Sequence, residues 1–146
     1  MATLSFVKFQ CFVENLAEKV HDLGSDTLKI CLSNTAPTVA TDTSYTTHIA
    51  PAEEIASGNG YTTTGAAIAV TSSSQTAGTY TLVASTDISW TAVTGSMAAF
   101  RYLVLYNSTA AGTNLIGYWD HGASVTLGVG ETYLADISGA TILSLT

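Results

Sequence analysis

The chain has 146 residues, 47% of them hydrophobic and only 10% charged, and its formal net charge is -7. That length suits one domain with a core of its own, so residues 1–146 read as a single unit. With four basic side chains in all, it has little with which to hold a phosphate backbone or dock on an anionic membrane surface, so direct nucleic-acid and membrane partners are not expected.

In chain order, "MATLSFVKFQ" has no basic segment followed by a continuous apolar run, so no secretion signal is expected. No stretch of about 18 uncharged apolar residues occurs that would span a bilayer. Phe9, Phe12, Val13, Leu16 and Val20 fall at helical spacing, opposite Glu14, Glu18, Lys19 and Asp22. This predicts one amphipathic helix over 8–22, stopped by Gly24. "TLKICLSN" then changes the period to two, with Leu28, Ile30 and Leu32 on one strand face. Residues 35–60 hold both prolines and little periodicity, and read as a long loop in which "APAEEIA" makes one helical turn.

From Tyr61 onward the chain reads as strand: 61–70, 79–84, 87–92, 98–107, 114–120, 124–127, 131–137 and 141–145. The breaks include "SSSQTAG", "HGA" and "GVG". "FRYLVLYN" is apolar almost throughout, as a central strand covered on both faces would be. Short strands at this spacing after one helix predict a mainly β protein, an antiparallel β-sandwich of jelly-roll type with an N-terminal amphipathic helix. A doubly wound α/β fold is excluded, because no helix alternates with strands.

Groups able to do chemistry are few. His21, His48 and His121 have no serine in a nucleophile-elbow pattern near them in sequence. Cys11 and Cys31 sit in apolar surroundings and away from any predicted helix N-terminus, and are expected to be free, unreactive thiols. Glu53 and Glu54 read as solvated acids of a first helical turn, and metal-ligand spacings are missing. Asp120-His121-Gly122, inside "GYWDHGAS", invites a catalytic reading, but reads better as a polar turn between two strands. The expectation is a protein without enzymatic activity, metal or cofactor.

The series "FQCFVENLAEKVHDLGSDTLK", "LSNTAP", "GNGY", "DISWTA", "FRYLVLYN", "LIGYWDHG" and "VTLGVGETY" resembles small virion structural proteins of tailed bacteriophages, of the decoration or cement kind. The resemblance covers nearly the whole chain. It implies a protein made in the host cytoplasm and placed on the capsid surface of the virion, with the major capsid protein and copies of itself, as a dimer or trimer, for partners. The low charge agrees, since neutral surface is desolvated at less cost than charged surface when subunits meet. Candidate interface residues are Leu4, Phe6 and Phe9 in the N-terminal stretch 1–9, Tyr45 in the loop 35–60, and Tyr118 and Trp119. Two alternatives stand beside this reading. One is a neck, tail or fibre subunit. The other is a host-glycan-binding module in which Tyr45, Tyr61, Tyr118 and Trp119 offer stacking faces. An enzyme would need His121 or His48 to meet an acid and a nucleophile in one pocket.

Overall fold

A computed structural model describes residues 4–146. The elements are β1 (Phe6–Lys8), α1 (Cys11–Ala17), β2 (Leu28–Ser33), a π-helical turn (Tyr45–Ile49) running into the single turn α2 (Ala50–Ala52), β3 (Ala66–Ala67), β4 (Val70–Thr76), β5 (Thr79–Ala84), β6 (Ile88–Thr91), β7 (Phe100–Asn107), β8 (Leu115–Val125), β9 (Thr132–Ala135) and β10 (Thr141–Leu145). The fold is mainly β, with antiparallel strand pairing and little helix. Among the described residues the strands form a five-stranded sheet, β1-β8-β7-β2-β3, a three-stranded sheet, β10-β5-β4, and the pair β6-β9.

The centre of the larger sheet follows from its alternation. On β7, Phe100, Leu103 and Leu105 face the larger core, where they meet Leu28, Ile30 and Leu32 of β2. Leu82 of β5, Trp90 of β6, Ala135 of β9 and Leu143 of β10 join the same cluster. Tyr102, Val104 and Tyr106 point the other way and pack with Phe9, Tyr45, Ile49 and Leu115. Both faces of β7 are therefore covered, as its continuous apolar run requires.

The N-terminal helix is shorter than its periodicity predicts. Phe6–Lys8 pairs with Trp119, Tyr118 and Gly117 as strand β1, and only Cys11–Ala17 is helical. Phe12 of the stripe is buried, whereas Val13 is 55% exposed. The stop is not Gly24 but Lys19, which takes φ 62°. The amide of Lys19 donates to the carbonyl of Leu16, and that of Val20 to the carbonyl of Asn15. These two bonds are a Schellman ending, with lysine where glycine is usual.

Cys11 is the first residue of α1, contrary to the sequence expectation. Burial nevertheless raises its thiol pKa, and its Sγ lies 3.7 Å from the carbonyl of Asp42, so it is a donor held among acceptors. Cys31 is fully buried, its pKa also raised by burial, and neither cysteine is bonded to the other.

The strand predictions hold for β2, β5, β6, β7, β9 and β10, and fail in three places. Residues 61–70 yield only the two-residue β3 and Val70, the first residue of β4, because Thr64 (φ 76°) and Gly65 (φ 67°) turn the chain across β2. A Cβ on Gly65 would lie 1.9 Å from the carbonyl oxygen of Ile30, so this crossing tolerates glycine alone. Most of the expected break "SSSQTAG" is strand β4, and only Ala77-Gly78 turn, both at positive φ. Serine is a weak strand former, and the ladder to β5 decides its conformation here. Finally, 114–120 and 124–127 belong to one strand, β8. Asp120-His121-Gly122 is no hairpin tip, because β8 continues to Val125 opposite Phe100. The residues between Asp120 and Val125 bulge against Arg101 alone, with Gly122 at φ 87°.

Candidate interaction surface

Adjacent residues on a strand point to opposite faces, and β8 places its two aromatics accordingly. Tyr118 lies on the side of the smaller cluster, 5.7 Å from the ring of Phe9 and 5.9 Å from that of Tyr102. Trp119 lies on the other side, 4.9 Å from the ring of Phe6. That contact depends on Gly117. A Cβ there would fall 2.2 Å from the ring of Phe6 and 2.7 Å from the carbonyl oxygen of Val7, so glycine is what lets β1 and its phenylalanine lie against β8.

Beside Trp119 opens a cleft of about 480 Å³. Leu4, Leu103, Trp119, Tyr133, Leu134 and Ile142 contribute to its lining, and Ile30 and Leu103 connect it to the larger core. Leu134 is 49% exposed, a large apolar side chain at the water boundary. His121 and Asp136 are polar groups in the lining, and His121 sets its ring edge-on to Tyr133 at 5.7 Å. The arrangement is apolar, concave and lightly decorated with polar atoms, which suits capture of an apolar side chain from a partner.

The acid in "GYWDHGAS" is held in an ion pair. Arg101 grips Asp120 through two bonds, Nε to Oδ1 at 2.7 Å and a terminal nitrogen to Oδ2 at 2.9 Å. The amide of Gly122 also donates to Oδ1 at 2.7 Å. These bonds, from Arg101 first and Gly122 second, hold the carboxyl down at about 2. The guanidinium lies over the ring of Tyr102 at 5.3 Å. The pair pins the bulge of β8 to β7 and so fixes the strand that carries Trp119. Nothing in the sequence pattern marked Arg101, which sits in a run of apolar residues.

The six candidate interface residues divide. Leu4 and Trp119 line the cleft, Phe6 packs on the ring of Trp119, and all three are partly exposed. Tyr118 is partly buried beside Phe9. Phe9 is wholly buried, and Tyr45 is 6% exposed and stacked on Tyr106 at 4.3 Å, so both are internal packing residues rather than contact residues. Of the expected N-terminal contact, residues 1–3 lie outside the described residues. The loop 35–60 is also less free than its composition suggests, since Tyr45, Ile49 and Ile55 are buried.

The expectation that Glu53 and Glu54 are solvated is overturned. Glu54 accepts from Tyr45 Oη at 2.5 Å, from Tyr61 Oη at 2.6 Å and from the amide of Thr64 at 2.8 Å. Tyr61 Oη in turn accepts from the amide of Leu32 at 3.0 Å. Burial, and then the bond to Glu54, pushes both tyrosine pKa values well up. Glu53 keeps a buried oxygen without a partner, and burial raises its carboxyl, with nearby Asp42 adding to the effect. Tyr61 is 2% exposed, so neither it nor Tyr45 offers a face to a sugar. Tyrosines spaced around an acid were the only sequence signal for this clamp.

The histidines do not form a common site. His48 Nδ1 sits 2.9 Å from the hydroxyl of Thr47 and accepts from the amide of Thr43 at 3.3 Å, bracing the loop. His121 Nδ1 lies 3.2 Å from the carbonyl of Ala123. Among the described residues, no three His, Cys, Asp or Glu side chains are grouped to hold a metal ion. Comparison with protein-family models, with curated proteins and with solved structures finds no match.

Proposed function

We propose that this chain is a bacteriophage virion structural protein, a capsid decoration protein that binds the outer capsid lattice and stabilises it. Its fold, on this reading, is an antiparallel sandwich of jelly-roll type, with the larger core lying between the five-stranded sheet and the two smaller sheets. The partners are the major capsid protein and copies of itself. The observation that carries the reading is the open apolar cleft at Trp119, bordered by Leu4 and the half-exposed Leu134, in a chain with so few charges to desolvate. The order of sequence motifs, which resembles that of phage virion structural proteins, supports a virion role and with it the choice of the major capsid protein as partner.

The test uses particles assembled with and without the protein. Particles lacking it are expected to disrupt at lower temperature and under weaker mechanical load, and added protein restores them. A copy number matching the capsid lattice fits decoration, whereas one matching a single portal or tail ring moves the chain to the neck, tail or fibre. Unchanged stability of particles lacking the protein removes the cement role.

A further inference from the structure

We infer that the free edge of β4 is a self-association surface, on which a second copy of this chain pairs antiparallel about a two-fold axis near Ser73. An exposed strand edge presents unpaired amides and carbonyls, and proteins blunt such edges with short strands, lysine, proline or bulges. The five-stranded sheet is blunted in that way. Its edge strands are three residues long, ending in Lys8, and two residues long. Strand β4 is different. It stands at the edge of the three-stranded sheet, runs for seven residues as "VTSSSQT", and has neither charge nor proline. Its one irregularity falls between Val70 and Ser72, which leaves Ser72–Thr76 in regular register with β5.

The hairpin geometry says which backbone groups are free. The two-residue turn Ala77-Gly78 makes Thr76 and Thr79 the closing hydrogen-bonded pair, so pairs alternate from there. Ser73 and Gln75 then aim their amides and carbonyls away from β5, towards the open edge. An antiparallel copy centred on Ser73 would exchange both bonds between the two Ser73 residues. It would also set Ser72 of each copy opposite Ser74 of the other. Ser72 and Ser74 share a face, their hydroxyls 3.1 Å apart, so the cross-copy pairs are hydroxyl to hydroxyl. Such a contact is self-complementary, as a two-fold interface must be.

Charge distribution selects a second copy as the occupant. Two chains of net charge -7 repel wherever acids meet. Residues 55–86 and 137–146 contain no Asp, Glu, Lys or Arg, so the whole of β10-β5-β4 is charge-free. The charges nearest in the adjoining cleft are Lys19 and Asp22, of opposite sign. This sheet is therefore where two copies approach with least repulsion, and joining them makes one six-stranded sheet.

The inference rests on the self-association part of the proposed function, and it is tested on the purified chain without particles, so the two can fail separately. Sedimentation equilibrium is expected to show a concentration-dependent dimer. S72K/S74K sets lysine against lysine across the axis, and S72E/S74E sets glutamate against glutamate. Each variant alone should associate at least tenfold more weakly, and an equimolar mixture should recover the dimer as a heterodimer. Near-ultraviolet circular dichroism checks that both remain folded. A wild-type chain that stays monomeric up to about 1 mM, where even a dimer of millimolar Kd would be populated, overturns the inference. So does a dimer that both charged variants leave intact, or a mixture that fails to recover. If the particle test succeeds while this one fails, a decoration role survives with another mode of multimer formation.

Discussion

The two faces of β8 carry neighbouring aromatics to opposite ends. On the Tyr118 side, rings from Phe9, Tyr45, Tyr102 and Tyr106 close over one another, and the loop that supplies Tyr45 is tied down by Glu54. On the Trp119 side, packing stops short and leaves a cleft that reaches Leu103. The first face has its apolar groups covered within the chain, whereas the second, although Phe6 and Trp119 pack against the larger core, leaves Leu134 half exposed and Trp119 partly open. A contact residue is therefore recognised by what the fold leaves uncovered, and being aromatic and near a loop is not enough.

The largest expected effect breaks the closed face. Phe9→Ala empties a fully buried ring position, and should cost about 3–5 kcal/mol in denaturant unfolding. Trp119→Ala, on the open face, should cost less than about half of that, because part of the ring is already in water, yet should weaken binding to particles at least tenfold. If Phe9→Ala were the cheaper change, or Trp119→Ala bound normally, the contrast between the faces would be wrong. Next in size is the clamp beneath the closed face. Glu54→Ala leaves two tyrosine hydroxyls and the Thr64 amide without their acceptor, and should destabilise by about 2–3 kcal/mol. Particle binding by the folded fraction should be unchanged, which a pull-down below the unfolding midpoint reads directly.

Much of the closed face is legible in the sequence and little of the open one is. "FRYLVLYN" announces a doubly covered strand because its apolar run has no polar alternation to spare. "ISWT" alternates cleanly and forms a strand, and the β-branched and apolar "TILSL" forms one despite a bulge that buries both Ile142 and Leu143. The failures share a cause, which is pairing across long sequence separation. Phe6–Lys8, of which only Lys8 falls in the predicted helix, is drawn into a strand by Gly117–Trp119, more than a hundred residues away. "SSSQT" is a strand only because β5 lies beside it. Glu54 looks like a surface acid until the fold brings Tyr45 and Tyr61 to it. The cleft is invisible for the same reason, since its lining comes from five strands, the β9–β10 connection and the N-terminal stretch, and no local spacing encodes a gap between them.

A smaller effect concerns a residue at the end of β7. Asn107 Oδ1 accepts from the amides of Thr109 and Ala110, so its Nδ2 faces Asp26 and His21 and must donate to both. His21 Nδ1 is then an acceptor, and the ring, packed 5.3 Å from Phe12, is neutral. Burial lowers its pKa from 6.5, with Asp26 opposing. In the unfolded chain His21 takes a proton near pH 6.5, while in the folded chain it resists, so the unfolded state binds more protons just below that pH. Stability from this group is complete above pH 6.5 and falls as pH drops through the window towards the folded value. His21→Gln should flatten that part of the curve of unfolding midpoint against pH. Loss of stability on raising the pH through the same window would contradict the buried neutral ring.

The smallest change should strengthen the protein. Lys19 holds a left-handed conformation at the end of α1, which costs a residue with a Cβ about 1–2 kcal/mol. Glycine there relieves that strain but has more freedom to lose on folding, by roughly 0.4–1 kcal/mol. The net expectation for Lys19→Gly is a gain of about 0.5–1 kcal/mol, seen as a higher denaturant midpoint with unchanged slope. The two Schellman bonds, to Leu16 and Asn15, need only the backbone and would persist. Lys19 lies beside the cleft at Ser73 and Tyr80, not the one at Trp119, so the variant should bind particles normally. A stabilised variant that loses binding would therefore place a partner contact at this end of the molecule, and would end the contrast between one closed face and one open one.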